Sequence, residues 1–151
     1  TWICPKCGAE HDRDINAANT GHSVITTIHA NSCEDTYYRM VTLCKQEQPG
    51  MDDATLQNLA TKAFPIVAFA KRLEDNSRRI MEITECETLQ DGRKKMRTLY
   101  RFNITDNIIA EGKPKIIGHY EKVENLSEGL QKRLRENGLP LKMQEQLLAK
   151  Q

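Results

Sequence analysis

The sequence predicts a mixed α/β (α+β) fold in which a strand meander is flanked by helices. Three observations carry this. Residues 64–104 are rich in β-branched, aromatic and other apolar residues, divided by the turn clusters Glu74-Asp75-Asn76-Ser77 and Gln90-Asp91-Gly92. Two helix patterns precede that region, each opened by a capping residue. A further helix pattern closes the chain, stopped by Gly138-Leu139-Pro140.

Taken in order, Ser23-Val24-Ile25-Thr26-Thr27-Ile28 is short and β-branched and reads as a buried strand. Ser32, three residues before Asp35, approaches a capping box and opens a helix over about Cys33–Lys45. Tyr37, Met40, Val41 and Cys44 share one face of it, and Pro49-Gly50 ends it. Asp52 or Asp53 caps a second helix running through Leu56, Leu59 and Ala63. Phe64–Leu73 and Arg78–Leu89 read as strands. Tyr100, Phe102 and Ile104 alternate with Leu99, Arg101 and Asn103, as a half-buried strand requires. Ser127 caps a helix carrying Leu130 and Leu134, and a short polar helix follows from Lys142.

The composition is that of a polar globular domain. Of 151 residues, 38% are hydrophobic, 28% charged and 5% aromatic, so the core is mainly aliphatic. With 22 basic and 21 acidic residues the net charge is +1, and no global field draws the chain to nucleic acid or anionic lipid. No apolar run approaches the roughly 18 residues of a membrane span. The start, Thr-Trp-Ile-Cys, has no apolar signal region. Cys4, Cys7, Cys33, Cys44 and Cys86 therefore read as reduced thiols of a cytoplasmic protein. Thr1 is not an initiator Met, so the chain reads as a processed or excised piece.

The most informative string is Thr20-Gly21-His22 followed by the apolar run and Thr26-Thr27-Ile28-His29-Ala30-Asn31-Ser32. In an open α/β sheet, ligands bind beyond the carboxyl ends of strands. A histidine there can donate to a phosphate oxygen or orient a water, and Thr26, Thr27 and Asn31 add donors. Gly21 permits close backbone approach. Isolated histidines at such positions are ordinarily turn residues.

Near the start, Cys4-Pro5-Lys6-Cys7-Gly8 is half of a zinc knuckle, with His11 as a third ligand and Cys33 as a remote fourth; a redox pair is the alternative. In His11-Asp12-Arg13-Asp14 two carboxylates flank an arginine, a pattern that can take up Mg²⁺ for phosphodiester cleavage only with further acidic ligands.

The full histidine string resembles the histidine box of type II/type IV secretion ATPases, the motors of secretion, conjugation and pilus assembly, with Arg39 on the following helix. The likeness continues through Phe64–Leu73, the Glu74–Arg78 turn, Ile80-Met81-Glu82-Ile83-Thr84-Glu85, Leu99–Phe102, the Gly112 and Gly118 regions and Gly138-Leu139-Pro140. It covers residues 20–151 and implies the C-terminal part of a RecA-like ATPase core. The family implies a homo-oligomeric motor, using ATP and Mg²⁺, that works with secretion machinery at the inner face of the membrane. The resemblance implies that His29 sits near the γ-phosphate and that His22 is the leading histidine of the box. Thr26, Thr27 and Asn31 are their nucleotide-proximal neighbours, and Arg72 and Arg78 are interface residues or solvated sheet-edge arginines.

Residues 1–19 are instead similar to the end of the transposon-encoded, RNA-guided TnpB nucleases. That likeness implies Cys4 and Cys7 as two zinc ligands, Asp14 as a metal-binding catalytic carboxylate, and contact with nucleic acid. The two likenesses meet near Asn19-Thr20, as in a fusion. Against both stands a third reading, a scaffold over residues 20–151 with no ligand.

ATP hydrolysis requires a loop of backbone N–H groups around the phosphates, a lysine, and a Ser/Thr for Mg²⁺. No G-x-x-x-x-G-K-[ST] string occurs in these 151 residues, and no acidic strand precedes the histidine box. The expectation is a motor piece without turnover of its own, whose unpaired strand edges favour self-association.

Overall fold

A computed structural model of the chain describes residue 15 and residues 17–149. The elements run α1 (Cys33–Glu47), α2 (Asp53–Ala63), β1 (Ile66–Arg72), β2 (Arg78–Thr88), β3 (Lys94–Ala110), β4 (Lys113–Lys122), α3 (Glu128–Glu136) and α4 (Leu141–Leu148). Two compact units divide the chain between Val67 and Ala68.

In the first unit, α1 begins where Ser32 Oγ accepts the Asp35 amide at 3.0 Å. It buries Cys33, Thr36, Tyr37, Met40, Leu43 and Cys44, the i, i+3, i+4 spacing of one helical face. Asp52 caps α2, accepting from the Thr55 amide at 2.9 Å and its hydroxyl at 2.6 Å. Leu56 and Ala60 form the buried stripe of α2, which packs on α1. Phe64 ends α2 just before Pro65, and its carbonyl accepts from the Tyr37 hydroxyl at 2.5 Å, which keeps a buried phenol satisfied.

The predicted strand at Ser23–Ile28 does not form: residues 22–30 carry no regular secondary structure. Exposure does alternate, with Val24, Thr26 and Ile28 half-buried and Ile25 99% exposed. The run has strand composition. A strand, however, is defined by its hydrogen-bonded neighbours, and the sheet among the described residues is a four-stranded one in the order β1-β2-β3-β4.

The second unit is that antiparallel meander with its terminal helices. β1 and β2 join through a turn in which the Leu73 amide donates to Ser77 O at 2.8 Å and Asn76 takes φ 63°. β2 pairs with β3 from Glu82↔Arg101 to Thr88↔Lys94, with a bulge between Ile83 and Thr84. β3 pairs with β4 from Tyr100↔Lys122 to Ala110↔Lys113. That hairpin turns at Glu111 and Gly112, both at positive φ. Leu73, Phe102 and Ile116 form a core, with Met81 packed on it. The Phe102 ring meets Tyr120 at 5.0 Å between centroids, and the Arg79 guanidinium lies 4.8 Å above it. The expected strand near Leu99–Ile104 is thus the middle of a much longer one, and β4 was not foreseen.

The carboxylate of Asp75 holds the first turn. One oxygen accepts the Ser77 hydroxyl at 2.6 Å and its amide at 3.0 Å, and the other accepts the Ile116 amide of β4 at 3.2 Å. These bonds, the Ser77 hydroxyl first, then its amide, the Ile116 amide and the charge of Arg79, hold Asp75 below the 3.8 of an unperturbed aspartate. A carboxyl whose folded value is depressed contributes stability that is complete above the unfolded value. That stability is lost as pH falls through the folded value. Acidification below about pH 4 is therefore expected to lower the urea midpoint more for the wild-type chain than for Asp75→Asn. Parallel acid limbs for the two proteins would contradict it.

Candidate functional site

The histidine box begins at the end of a helix. Residues 17–19 are helical, and the His22 amide donates to Ala17 O at 3.1 Å while the Gly21 amide donates to Ala18 O at 3.3 Å. This pair of bonds is a Schellman stop with Gly21, at φ 93°, in the left-handed position. Helix termination accounts for Gly21, and a Cβ there would meet nothing within 4 Å. Asn19 fixes the same end from its side chain, donating to Ile15 O at 2.9 Å and to Leu59 O of α2 at 3.1 Å. The Thr20 hydroxyl lies 3.3 Å from His22 Nδ1 and donates to Ala17 O at 2.9 Å.

The box ends at the start of α1. The Asn31 amide donates to Asp35 Oδ2 at 2.8 Å and its side-chain amide at 3.3 Å, a capping box shifted outward by one residue. His22, Thr27, His29 and Asn31 are exposed and Thr26 is half-buried. His29 therefore stands three residues before a helix cap, not at the carboxyl end of a sheet strand as expected. The chain brings Thr20 to His22 and Asn31 to Asp35, and it presents His29 to solvent.

This arrangement does not by itself hold a nucleotide. The N-terminal amides of α1 are fronted by Glu34 and Asp35, and those of Asn31 and Asp35 already have acceptors. A phosphate would meet two carboxylates there. The structure therefore does not fit ATP with Mg²⁺ without a phosphate loop from beyond these residues.

Among the described residues no group of three or more His, Cys, Asp or Glu side chains converges to hold a metal. Cys33, expected as a remote ligand, is buried and its thiol donates to Val67 O at 3.6 Å. Cys33, Cys44 and Cys86 form no disulfide. Burial raises the Cys86 thiol above its ordinary value, so it is a poor nucleophile. Cys4, Cys7, His11 and Asp14 lie outside the described residues.

Arg72 and Arg78, expected at an interface, both lie exposed at the β1–β2 hairpin. Arg72 donates to Asn76 Oδ1 at 2.5 Å across its turn.

The polar cluster that the sequence reading missed lies on the β2–β3 ladder. Glu85 is 2% exposed and accepts the Ser127 amide at 2.8 Å and, through a short bond, the Ser127 hydroxyl. The same hydroxyl accepts the Leu130 amide at 3.1 Å, so one serine caps α3 and ties it to the sheet. Across the ladder, Arg97 faces Glu85 and bonds Glu87 at 2.6 Å and Glu124 at 2.9 Å. Its hydrogen bond to Glu87, then the charges of Glu87, Glu124 and Glu85, hold the guanidinium above its ordinary value despite partial burial. These groups take up most of one another's hydrogen-bonding capacity, although Arg97 Nε is buried without a partner. They make a structural clasp rather than a reactive site.

Among curated proteins no match is found. The family model described as Type II/IV secretion system protein matches residues 10–150, beginning inside the segment that resembled the end of a nuclease. Neither comparison supports that nuclease likeness. No helix among the described residues is long and apolar enough to cross a membrane. The family match takes in the histidine box, the whole meander and both terminal helices, and on that extent the chain belongs to the type II/IV secretion system protein family.

Proposed function

We propose that these residues form the C-terminal, histidine-box and meander part of an ATP-driven secretion, conjugation or pilus motor subunit, and that they do not turn over ATP on their own. The family match over residues 10–150 carries the reading, together with a chain that has no phosphate loop. His29 is the residue best suited to reach a nucleotide. It is exposed and sits on an irregular stretch between the Gly21 helix stop and the Ser32 cap, where neither neighbouring cap uses its ring. His22, Thr26, Thr27 and Asn31 flank it, and Arg72 and Arg78 are offered to a neighbouring subunit. The phosphate loop and its Mg²⁺ come from beyond these residues, whether along the same polypeptide or from another one. Family membership makes a homo-oligomer, peripheral to the inner membrane, the natural setting.

Phosphate release from Mg·ATP by the purified 151-residue chain is expected to stay at the level of the buffer blank. Turnover that chelation of Mg²⁺ abolishes would overturn this. Added to a phosphate-loop fragment that has little activity alone, the wild-type chain is expected to raise turnover and His29→Ala to raise it at least about tenfold less, the loss typical of one positioned catalytic group. Equal stimulation by both would remove His29 from the site.

A further inference from the structure

β4 is an edge strand of the meander. The Val123 amide donates inward to Leu99 O at 2.9 Å, so odd-numbered residues of β4 turn their backbone groups toward β3 and even-numbered ones turn theirs outward. The outward row is Pro114, Ile116, Gly118, Tyr120 and Lys122. Two of these positions cannot offer an amide to a new strand. Pro114 has none, and the Ile116 amide is held by Asp75 from the β1–β2 turn at 3.2 Å. Beside that edge the hairpin exposes Ile104, Ile108, Ile109 and Ile117, more apolar surface than a lone two-stranded arm ordinarily leaves to water.

We propose that the β4 edge is a docking surface for β4 of a second copy of this chain, and that Asp75 is the latch that keeps it closed. The occupant follows from charge and register. Placing Gly118 opposite itself about a twofold axis pairs Ile116 with the partner's Tyr120, both outward-facing residues, as a hydrogen-bonded ladder demands. The same register sets Lys115 against the partner's Glu121 twice, once on each side of the axis, and Ile117 against the partner's His119. Lys115 and Glu121 are both exposed and share a sheet face. The Ile116 amide would then donate to the Tyr120 carbonyl of the partner subunit, and only after leaving Asp75. The inference stands on the meander alone and does not depend on the motor reading.

Asp75→Asn is the discriminating variant. Its remaining carbonyl oxygen can still serve the Ser77 amide and hold the turn, but its NH₂ cannot accept from Ile116. At a concentration where the wild-type chain sediments as a monomer, Asp75→Asn is expected to approach twice that mass. A carbodiimide is expected to join Lys115 to Glu121 in the variant. Six residues of strand separate the two in one chain, roughly 20 Å, so such a zero-length bond can form only between copies. Adding Lys115→Glu should return the variant to monomer, and adding Glu121→Lys to that should restore the dimer. A monomeric, folded Asp75→Asn, or an association without the Lys115–Glu121 link, would overturn the proposal. Should Asp75→Asn fail to fold, amide exchange in the wild-type chain decides. The Ile116 amide must exchange more slowly than those of Gly118 and Tyr120, and equal rates would refute the latch.

Discussion

Replacing Gly118 with alanine is expected to lower the unfolding free energy of the meander by about 2 kcal/mol, the balance of two opposing effects. An ideal Cβ at Gly118 falls 2.4 Å from Asn103 O, 2.6 Å from Phe102 Cζ and 2.8 Å from Phe102 Cε1. The first of these is backbone on the neighbouring strand and cannot swing aside without breaking the β3–β4 ladder. The second and third belong to a core ring that already touches Tyr120 and carries Arg79 on its face. Gly→Ala at an ordinary position gains about 0.4–1 kcal/mol by narrowing the unfolded ensemble. Inserting a carbon into a packed site costs about 1–3 kcal/mol. The contacts here are far inside van der Waals distance, so the cost lies at the upper end and wins. Urea denaturation should show a lower midpoint with an unchanged slope. The loss of near-ultraviolet signal from Phe102 and Tyr120 should follow the same transition. A midpoint equal to or above that of the wild type would mean that the Phe102 ring does not lie over Gly118.

That glycine shows why part of the fold was legible and part was not. The helices could be read because their ends are written in local chemistry. Ser32, Asp52 and Ser127 each cap the helix expected of them, through contacts three residues away. The hairpin from Phe64 to Leu89 was legible for the same reason, since Asp75 and Asn76 are turn residues by their own stereochemistry. β4 was missed because Pro114 and Gly118 interrupt its alternation, and each is explained only by its place at an edge and beneath a ring. Its turn was hidden too, because Glu111 adopts φ 54°, a conformation that glutamate seldom takes.

The run Ser23–Ile28 erred in the other direction. β-branched composition states that a segment can be a strand, but pairing decides whether it is one. The candidate site suffered most, because His29 derived its expected role from a strand end. The Thr20–Ser32 string was identifiable as a family signature. Its helix stop at Gly21 and its cap at Ser32 were needed to see what that signature builds locally.

Glu85→Ala is expected to be the most damaging single change in the second unit, at about 3 kcal/mol, because it strands a buried amide and hydroxyl together. In sequence, Glu85 closes a strand-like Ile-x-Glu-Ile-x-Glu pattern, whose two glutamates, three residues apart, fall on opposite faces of the strand. Thr84, Glu85 and Cys86 are buried in succession, beside the step where Leu99 of β3 is the extra, unpaired residue opposite Ile83 and Thr84. The carboxylate turned inward meets the N-cap of α3. There it accepts both donors of Ser127 while Arg97 supplies positive charge from the facing strand. Removing it leaves the Ser127 amide without an acceptor and frees the hydroxyl that positions the Leu130 amide. It also leaves Arg97 with one less compensating charge.

Ser127→Ala removes the cap as well as one of the carboxylate's two donors. Caps contribute about 1 kcal/mol and an under-bonded buried carboxylate costs more, so this variant should fall by a comparable amount. Because each single change already destroys the same bond, the double variant should lose at least about 1 kcal/mol less than the sum of the two. Glu85→Gln keeps one acceptor oxygen and a side chain of nearly the same volume, so it should fall between wild type and Glu85→Ala. Additive losses in the cycle, or a Glu85→Ala chain as stable as wild type, would mean that α3 docks on the sheet through its apolar face alone. On the geometry observed, Leu130 and Leu134 give that face little to bury, and α3 contains no buried residue of its own. The buried carboxylate is then what holds the closing helix to the meander.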